Sequence, residues 1–96
     1  VLTRALCHSD NCYWLPVLRF RGLPCKTNTV SNTAFRGYGG PQGMFAIETI
    51  IDTIARHLAL SLEQVRRRNF YGHGRDNVTP YGMTVEDNII ETVIDE

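Results

Sequence analysis

Residues 32–43 read Asn-Thr-Ala-Phe-Arg-Gly-Tyr-Gly-Gly-Pro-Gln-Gly, and this stretch decides how the middle of the chain folds. It holds four of the eight glycines and leads directly into a helical pattern. Glycine tolerates positive φ and lets a backbone approach a ligand closely. The first turn of a helix presents free N–H groups and a partial positive charge. The stretch predicts either a cradle for an anionic or oxo ligand or a tight turn that packs the helix against a sheet.

The segment from 44 to 58 has the clearest helical periodicity in the chain. Polar residues occupy one face, and Pro41 suits the first turn, where its missing N–H costs nothing. The spacing predicts a helix over residues 41–58 that packs through one apolar stripe. The stripe consists of Met44, Ile47, Ile50, Ile51, Ile54, Ala55 and Leu58.

The flanking segments predict the remaining elements. Residues 1–10 have helical spacing, and residues 13–25 are aromatic, branched and interrupted by prolines, which predicts one or two strands at a sheet edge or bend. A capping box at 61–64 predicts a helix to about Asn69, and Thr84 with Asp87 predicts a capped last helix from Val85 onward. The predicted fold class is α+β, with short strands in the N-terminal third followed by three helices, in a single unit spanning 1–96.

The amino-acid composition limits which classes of function are expected for the chain. Ten basic and ten acidic residues cancel, so no net charge favours nucleic acid or a membrane surface. Three cysteines without a secretion signal predict reduced thiols packed in the interior of a cytoplasmic protein. Both ends interrupt helical patterns, which predicts a piece of a longer polypeptide.

Several familiar site patterns are incomplete. The glycines do not fit G-x-G-x-x-G, and the Lys-Ser/Thr of a P-loop is missing. The three histidines show no metal-ligand spacing, and the cysteines complete neither a zinc site nor an iron–sulfur set. Arginines 66–68 point in different directions on a helix, which predicts solvated or ion-paired side chains rather than a nucleic-acid patch.

Five strings, in order along nearly the whole chain, resemble the molybdenum-binding subunit of the xanthine dehydrogenase/aldehyde oxidase family in its bacterial form. They are the stretch 32–43, Asp-Asn-Cys-Tyr at 10–13, Cys-Lys-Thr-Asn at 25–28, Val-Arg-Arg-Arg-Asn-Phe-Tyr-Gly at 65–72 and Thr-Pro-Tyr-Gly at 79–82. The Phe-Arg-Gly-aromatic-Gly-Gly-Pro-Gln string is highly specific to that family. The resemblance implies a fragment of a larger molybdenum-binding domain.

The resemblance also implies an activity and its cofactors. The parent enzyme would oxidise hypoxanthine or xanthine with oxygen from water on a molybdenum–molybdopterin cofactor. Electrons would leave through [2Fe–2S] clusters and FAD on other domains or subunits. The implied partners are a purine substrate, the remainder of the molybdenum subunit and the iron–sulfur/FAD part. The isolated chain is expected to be inactive and to bind no cofactor.

Three residues receive site roles from the resemblance. Arg36 would lie beside the molybdenum, with its backbone N–H facing the oxygen ligands of the cofactor, and Gly37 would be a cofactor-binding neighbour. Tyr38 would stack on the substrate, although the family usually has Phe there, which leaves the substrate open. No residue matches the catalytic glutamate. The competing hypothesis is a structural or interaction fragment that docks through the isoleucine stripe of 44–58.

Overall fold

The computed structural model describes all 96 residues and contains four helices. They are α1 (Leu2–Cys7), α2 (Gly40–Leu58), α3 (Leu62–Asn69) and α4 (Ile90–Asp95). Long irregular segments connect them, and β structure is limited to two isolated antiparallel bridges, Tyr13 with Phe70 and Val78 with Thr84. None of the helices is both long and apolar enough to cross a membrane.

The strands predicted within residues 13–25 are not formed. Only Tyr13 at the start of the segment forms a bridge, and the rest follows an irregular path. Pro16 and Pro24 remove backbone donors, and no extended neighbour pairs with the segment, so the backbone ladder that defines a strand cannot form. Apolar side chains such as Val17 and Leu23 lie exposed instead. The fold is therefore mostly helical rather than α+β.

The two central helices confirm the sequence prediction. Pro41 lies in the first turn of α2, and the helix ends before Ala59, which has a φ of 53°. The capping box of α3 is complete, because Ser61 Oγ accepts from the Gln64 N–H at 3.1 Å and Gln64 Oε1 accepts from the Ser61 N–H at 3.2 Å. Two orphan N–H groups of the helix start are thereby satisfied.

The last helix starts five residues later than predicted, at Ile90 rather than Val85. Val85 instead donates its N–H to the Asn77 carbonyl at 2.7 Å, and Thr84 bridges Val78. These pairings hold residues 77–85 in a hairpin-like turn, which competes with helix formation. Neither Thr84 nor Asp87 caps α4, and the Ile90 N–H donates to Asn88 Oδ1.

The core lies where α2 and α3 meet the segment after α1. Only part of the predicted stripe is buried in it, since Ile47, Ile51 and Ala55 point inward while Ile50, Ile54 and Leu58 are exposed. The buried cluster consists of Tyr13, Ile47, Ile51, Ala55 and Val65, with Cys12, Leu15, Leu62 and Phe70 around it.

The cysteines are not packed as predicted. All three are free thiols, but Cys7 and Cys25 are exposed and only Cys12 is half-buried. Burial raises the pKa of the Cys12 thiol, and the nearby negative charge of Glu48 adds to the effect. Cys7 and Cys25 are exposed because a short chain with one small core can bury only a modest fraction of its side chains.

Candidate functional site: the glycine loop before α2

The loop from Phe35 to Gly39 bends sharply before α2. Gly37, Tyr38 and Gly39 all have positive φ, at 86°, 53° and 109°. The Tyr38 N–H donates to the Phe35 carbonyl at 2.7 Å, and the Gly40 N–H donates to the Gly37 carbonyl at 2.9 Å. Two successive turns thus deliver the chain to the first residue of α2.

Two of the glycines serve packing against α1. A Cβ on Gly39 would collide with the Val1 carbonyl oxygen, and one on Gly43 would collide with the Ala5 carbonyl oxygen. Only glycine allows such close backbone approach. Gly39 and Gly43 therefore do serve packing, but against α1 rather than against the sheet that the sequence predicted. The front of the loop is left free for another role.

That front presents backbone donors without partners. The N–H groups of Arg36, Gly37 and Gln42 donate no hydrogen bond within the chain. Pro41 has no N–H, and the α2 dipole adds partial positive charge at this end. Exposed N–H groups beside a helix start suit oxygen-rich anionic groups. The donor set therefore fits the oxygen ligands and the phosphate of a molybdopterin-type cofactor.

The side chains on this front point away from the chain's own core. Tyr38 is 64% exposed and Phe35 is 81% exposed, and the Arg36 side chain is exposed as well. Neither of the two cavities of the chain is lined by Arg36, Gly37 or Tyr38. The chain by itself therefore offers an open wall rather than a closed pocket.

Arg4 of α1 is a basic residue that was not singled out from the sequence. Val1, Ala5 and His8 of the α1 region contact Gly39, Gly43 and Gly40 respectively. Arg4 is exposed and falls on the same helical face by its spacing from these residues. The helical spacing of Val1, Arg4, Ala5 and His8 indicates that these residues share one face of a helix. The spacing alone could not show that this face packs against the glycine loop.

A polar network supports α2 two turns into the helix. Glu48 Oε1 accepts from the Tyr13 hydroxyl at 2.6 Å and from Asn11 Nδ2 at 3.0 Å, while Oε2 accepts from Arg66 Nη2 at 2.6 Å and Nε at 3.1 Å. The Tyr13 ring stacks on Phe70 with centroids 5.9 Å apart. One carboxylate thus ties α2 to α3 and to the segment after α1.

The charges in this network perturb one another. Burial alone would raise the pKa of Glu48, but hydrogen bonds from Tyr13 and Arg66 outweigh it and lower that pKa. Burial and the hydrogen bond to Glu48 raise the pKa of Tyr13. The hydrogen bond to Glu48 raises the pKa of Arg66. Glu48 is therefore a structural anchor, held as a carboxylate by its hydrogen-bond donors.

The other arginines confirm the ion-pair interpretation. Arg67 contacts Glu63 at 2.9 Å and Asp95 at 2.5 Å, and Arg66 is engaged by Glu48. No group of three or more His, Cys, Asp or Glu side chains is arranged to hold a metal ion.

Comparison with known proteins identifies the family of the chain. The family model of the molybdopterin cofactor-binding domain matches residues 1–70, and the chain belongs to this family. The match includes α1, the glycine loop, α2 and α3. Residues 71–96 lie outside it.

Similar full-length proteins are much longer. The chain is 49% identical to xanthine dehydrogenase of Drosophila pseudoobscura pseudoobscura over all 96 residues, which cover 7% of that protein. It is 51% identical to xanthine dehydrogenase/oxidase of Felis catus over 86 residues, 90% of the chain and 6% of that protein. It is 43% identical to nicotinate hydroxylase hnxS of Emericella nidulans over 88 residues, 92% of the chain and 6% of that protein.

Proposed function

We propose that the chain forms one wall of the cofactor and substrate pocket of a xanthine dehydrogenase-type molybdenum hydroxylase. The observation that carries the proposal is the open front of the glycine loop, with free N–H groups and exposed Arg36 and Tyr38, in a chain of the molybdopterin cofactor-binding family. The chain spans only 6–7% of the length of the relatives compared above, so the remaining walls would come from other segments.

The cofactor side of this wall would consist of backbone donors. The N–H groups of Arg36 and Gly37 would face the oxygen ligands of the cofactor, and Arg36 and Arg4 would add positive charge nearby. When bound, molybdenum–molybdopterin would supply the oxidation of a ring carbon with oxygen from water. Iron–sulfur clusters and FAD elsewhere in the protein would carry the electrons away.

The substrate side would consist of the Tyr38 ring. An exposed aromatic face stacks on flat heteroaromatic rings. The relatives include both xanthine dehydrogenases and a nicotinate hydroxylase, whose named substrates are nitrogen heteroaromatics. A purine such as hypoxanthine is the substrate we propose, with the Tyr38 hydroxyl free to influence which ring substituents fit.

Kinetics of Tyr38 variants in the full-length enzyme test this proposal. We expect Tyr38→Phe to keep most activity on hypoxanthine, because the ring is retained. Tyr38→Ala should lower kcat/KM by about ten- to a hundredfold through loss of stacking and positioning. Parallel thermal melts should show little change, since the side chain is 64% exposed. Unchanged kcat/KM in Tyr38→Ala, or unfolding of that variant, would remove the stacking role.

The exposed half of the isoleucine stripe favours a second role. Ile50, Ile54 and Leu58 form an apolar face on α2 that nothing in the chain covers. A face of this kind marks a contact with other polypeptide. We propose that it packs against the remainder of the molybdenum subunit, which is compatible with the pocket role.

A charge placed on this face tests the docking role. Ile54→Lys should leave the urea midpoint of the 96-residue chain within experimental error, because the side chain is already 40% exposed. The same change should lower the midpoint of the full-length protein, where the charge would be buried. Equal effects in the two proteins would show that the face has no partner.

A further inference from the structure

A cavity of about 320 Å³ lies between the end of α1 and the segment from Tyr71 to Asn88. It is separate from the glycine loop, and most of its lining comes from residues beyond the family match. Cavities that enclose small-molecule ligands measure roughly 300–1,000 Å³. This one falls at the lower end, which suits a side-chain head group rather than a whole cofactor.

A buried carboxylate forms one wall of the cavity. Asp10 is only 2% exposed, and its Oδ2 accepts from the Tyr71 hydroxyl at 2.6 Å. Its other oxygen, Oδ1, accepts no hydrogen bond from any group of the chain. Because every fully buried polar side-chain atom has a partner, Oδ1 is not fully enclosed by the chain, and Asp10 lines the cavity. Burying a carboxylate oxygen without a hydrogen-bond donor costs free energy, so a donor supplied by a ligand would stabilise Asp10.

The neighbouring tyrosine also presents an acceptor. The Tyr71 hydroxyl has one proton and donates it to Asp10, so only its lone pairs remain for another group. The backbone of Tyr71 is fixed, because its N–H donates to the Cys12 carbonyl at 3.0 Å and its carbonyl accepts from Asn88 Nδ2 at 2.6 Å. The two acceptors are therefore held in place before any ligand arrives.

The cavity carries negative charge and an aromatic face. Glu86 adds a second carboxylate to the lining, and no Lys, Arg or His lines it. Tyr81 also lines it, and burial together with the charge of Asp10 raises the pKa of the Tyr81 hydroxyl. A cation is attracted both by the carboxylates and by the ring face.

We propose that this cavity receives the guanidinium group of an arginine side chain from another polypeptide segment. A planar guanidinium offers five donors in a fixed fork and stacks on aromatic rings, whereas an ammonium is a compact point charge. It would donate to Asp10 Oδ1 and Glu86 and lie against the Tyr81 ring. We place the source in another segment because the chain spans only 6–7% of the length of its relatives and none of its own Lys, Arg or His residues lines the cavity.

An NMR titration of the ¹⁵N-labelled 96-residue chain tests the proposal. The ligands are methylguanidinium, n-butylammonium and the capped tripeptide acetyl-Gly-Arg-Gly-amide, each at constant ionic strength. We expect methylguanidinium and the tripeptide to cause saturable shifts of the amides of Cys12, Tyr71 and Met83. The ammonium should bind at least about threefold more weakly, because it lacks the planar fork.

Three variants connect the binding to the carboxylates. Asp10→Asn should weaken guanidinium binding by about tenfold or more, the effect of losing a charge-assisted hydrogen bond. Glu86→Gln leaves the Asp10–Tyr71 pair intact and should weaken binding by roughly threefold, so it provides the test if Asp10→Asn does not fold. Asp87→Asn is the matched control, since Asp87 is exposed and does not line the cavity.

Each contrary outcome overturns a stated part of the proposal. The absence of saturable shifts, or equal binding by Glu86→Gln and the parent chain, would remove the cation site. Equal binding of the ammonium would remove the preference for guanidinium. Binding of methylguanidinium without binding of the tripeptide would show a site for a free small cation instead of an arginine side chain.

Discussion

Ile50 and Ile51 are adjacent on α2, so the same Ile→Ala substitution can be made at an exposed site and at a buried site. Ile51 is 3% exposed and belongs to the core, whereas Ile50 is 53% exposed. Replacing a buried isoleucine by alanine removes three carbons, which at about 0.8 kcal/mol each gives roughly 2.4 kcal/mol of lost transfer free energy. The cavity left behind brings the expected cost of Ile51→Ala to about 2–5 kcal/mol.

The cost at Ile50 should be much smaller. About half of that side chain already faces water, and its removal leaves no closed cavity, so we expect a loss of about 1 kcal/mol or less. A domain of this size has a total stability of only about 5–15 kcal/mol. Ile51→Ala should therefore remove a large fraction of the stability, while Ile50→Ala should remove little.

Urea denaturation followed by the fluorescence of Trp14, the single tryptophan, measures both changes. The slope with urea should stay constant, so that midpoints report stability directly. Thr49→Ala is the surface control and should change stability by less than about 0.5 kcal/mol. Equal losses at Ile50 and Ile51 would mean that the buried face of α2 has been assigned incorrectly.

Two further stability predictions concern polar groups. The folded-state pKa of Glu48 is lowered, so its contribution is present above the ordinary carboxyl pKa of 4.5 and is lost as pH falls through the lowered value. The stability difference between the parent chain and Glu48→Gln should be full at pH 7 and should close in acid, whereas a constant difference from pH 7 to the acid limit would contradict this assignment. Ser61→Ala should cost about 0.5–2 kcal/mol through loss of the α3 cap, measured by the same urea melts, and no loss would show that the capping box contributes nothing.

Features encoded within a few residues could be predicted from the sequence. The apolar period of α2 and the Ser61–Gln64 capping box depend on contacts three or four residues apart. The strands at 13–25 could not be judged in this way, because a strand depends on a partner elsewhere in the chain. The late start of α4 has the same origin, since the Asn77–Val85 hydrogen bond competes with local helix propensity.

The candidate site was predictable in part for the same reason. The glycine pattern located the loop before α2, but it could not show which glycines serve packing against α1. The anchoring of Glu48 joins it to Arg66, 18 residues away, and to Tyr13, 35 residues away. The position of Arg4 likewise depends on how α1 meets the loop. These are tertiary contacts that no local pattern encodes.

The backbone of Tyr38 limits how the proposed substrate wall can change. At a φ of 53° the residue sits in a region that β-branched side chains tolerate poorly. A saturation library at this position would therefore lose Val, Ile and Thr to backbone strain before any substrate contact is tested. Accessible variants would be concentrated among Phe, His, Asn and Gly, so altered substrate range at this position would be reached by exchanging or removing a ring rather than by introducing a branched aliphatic side chain.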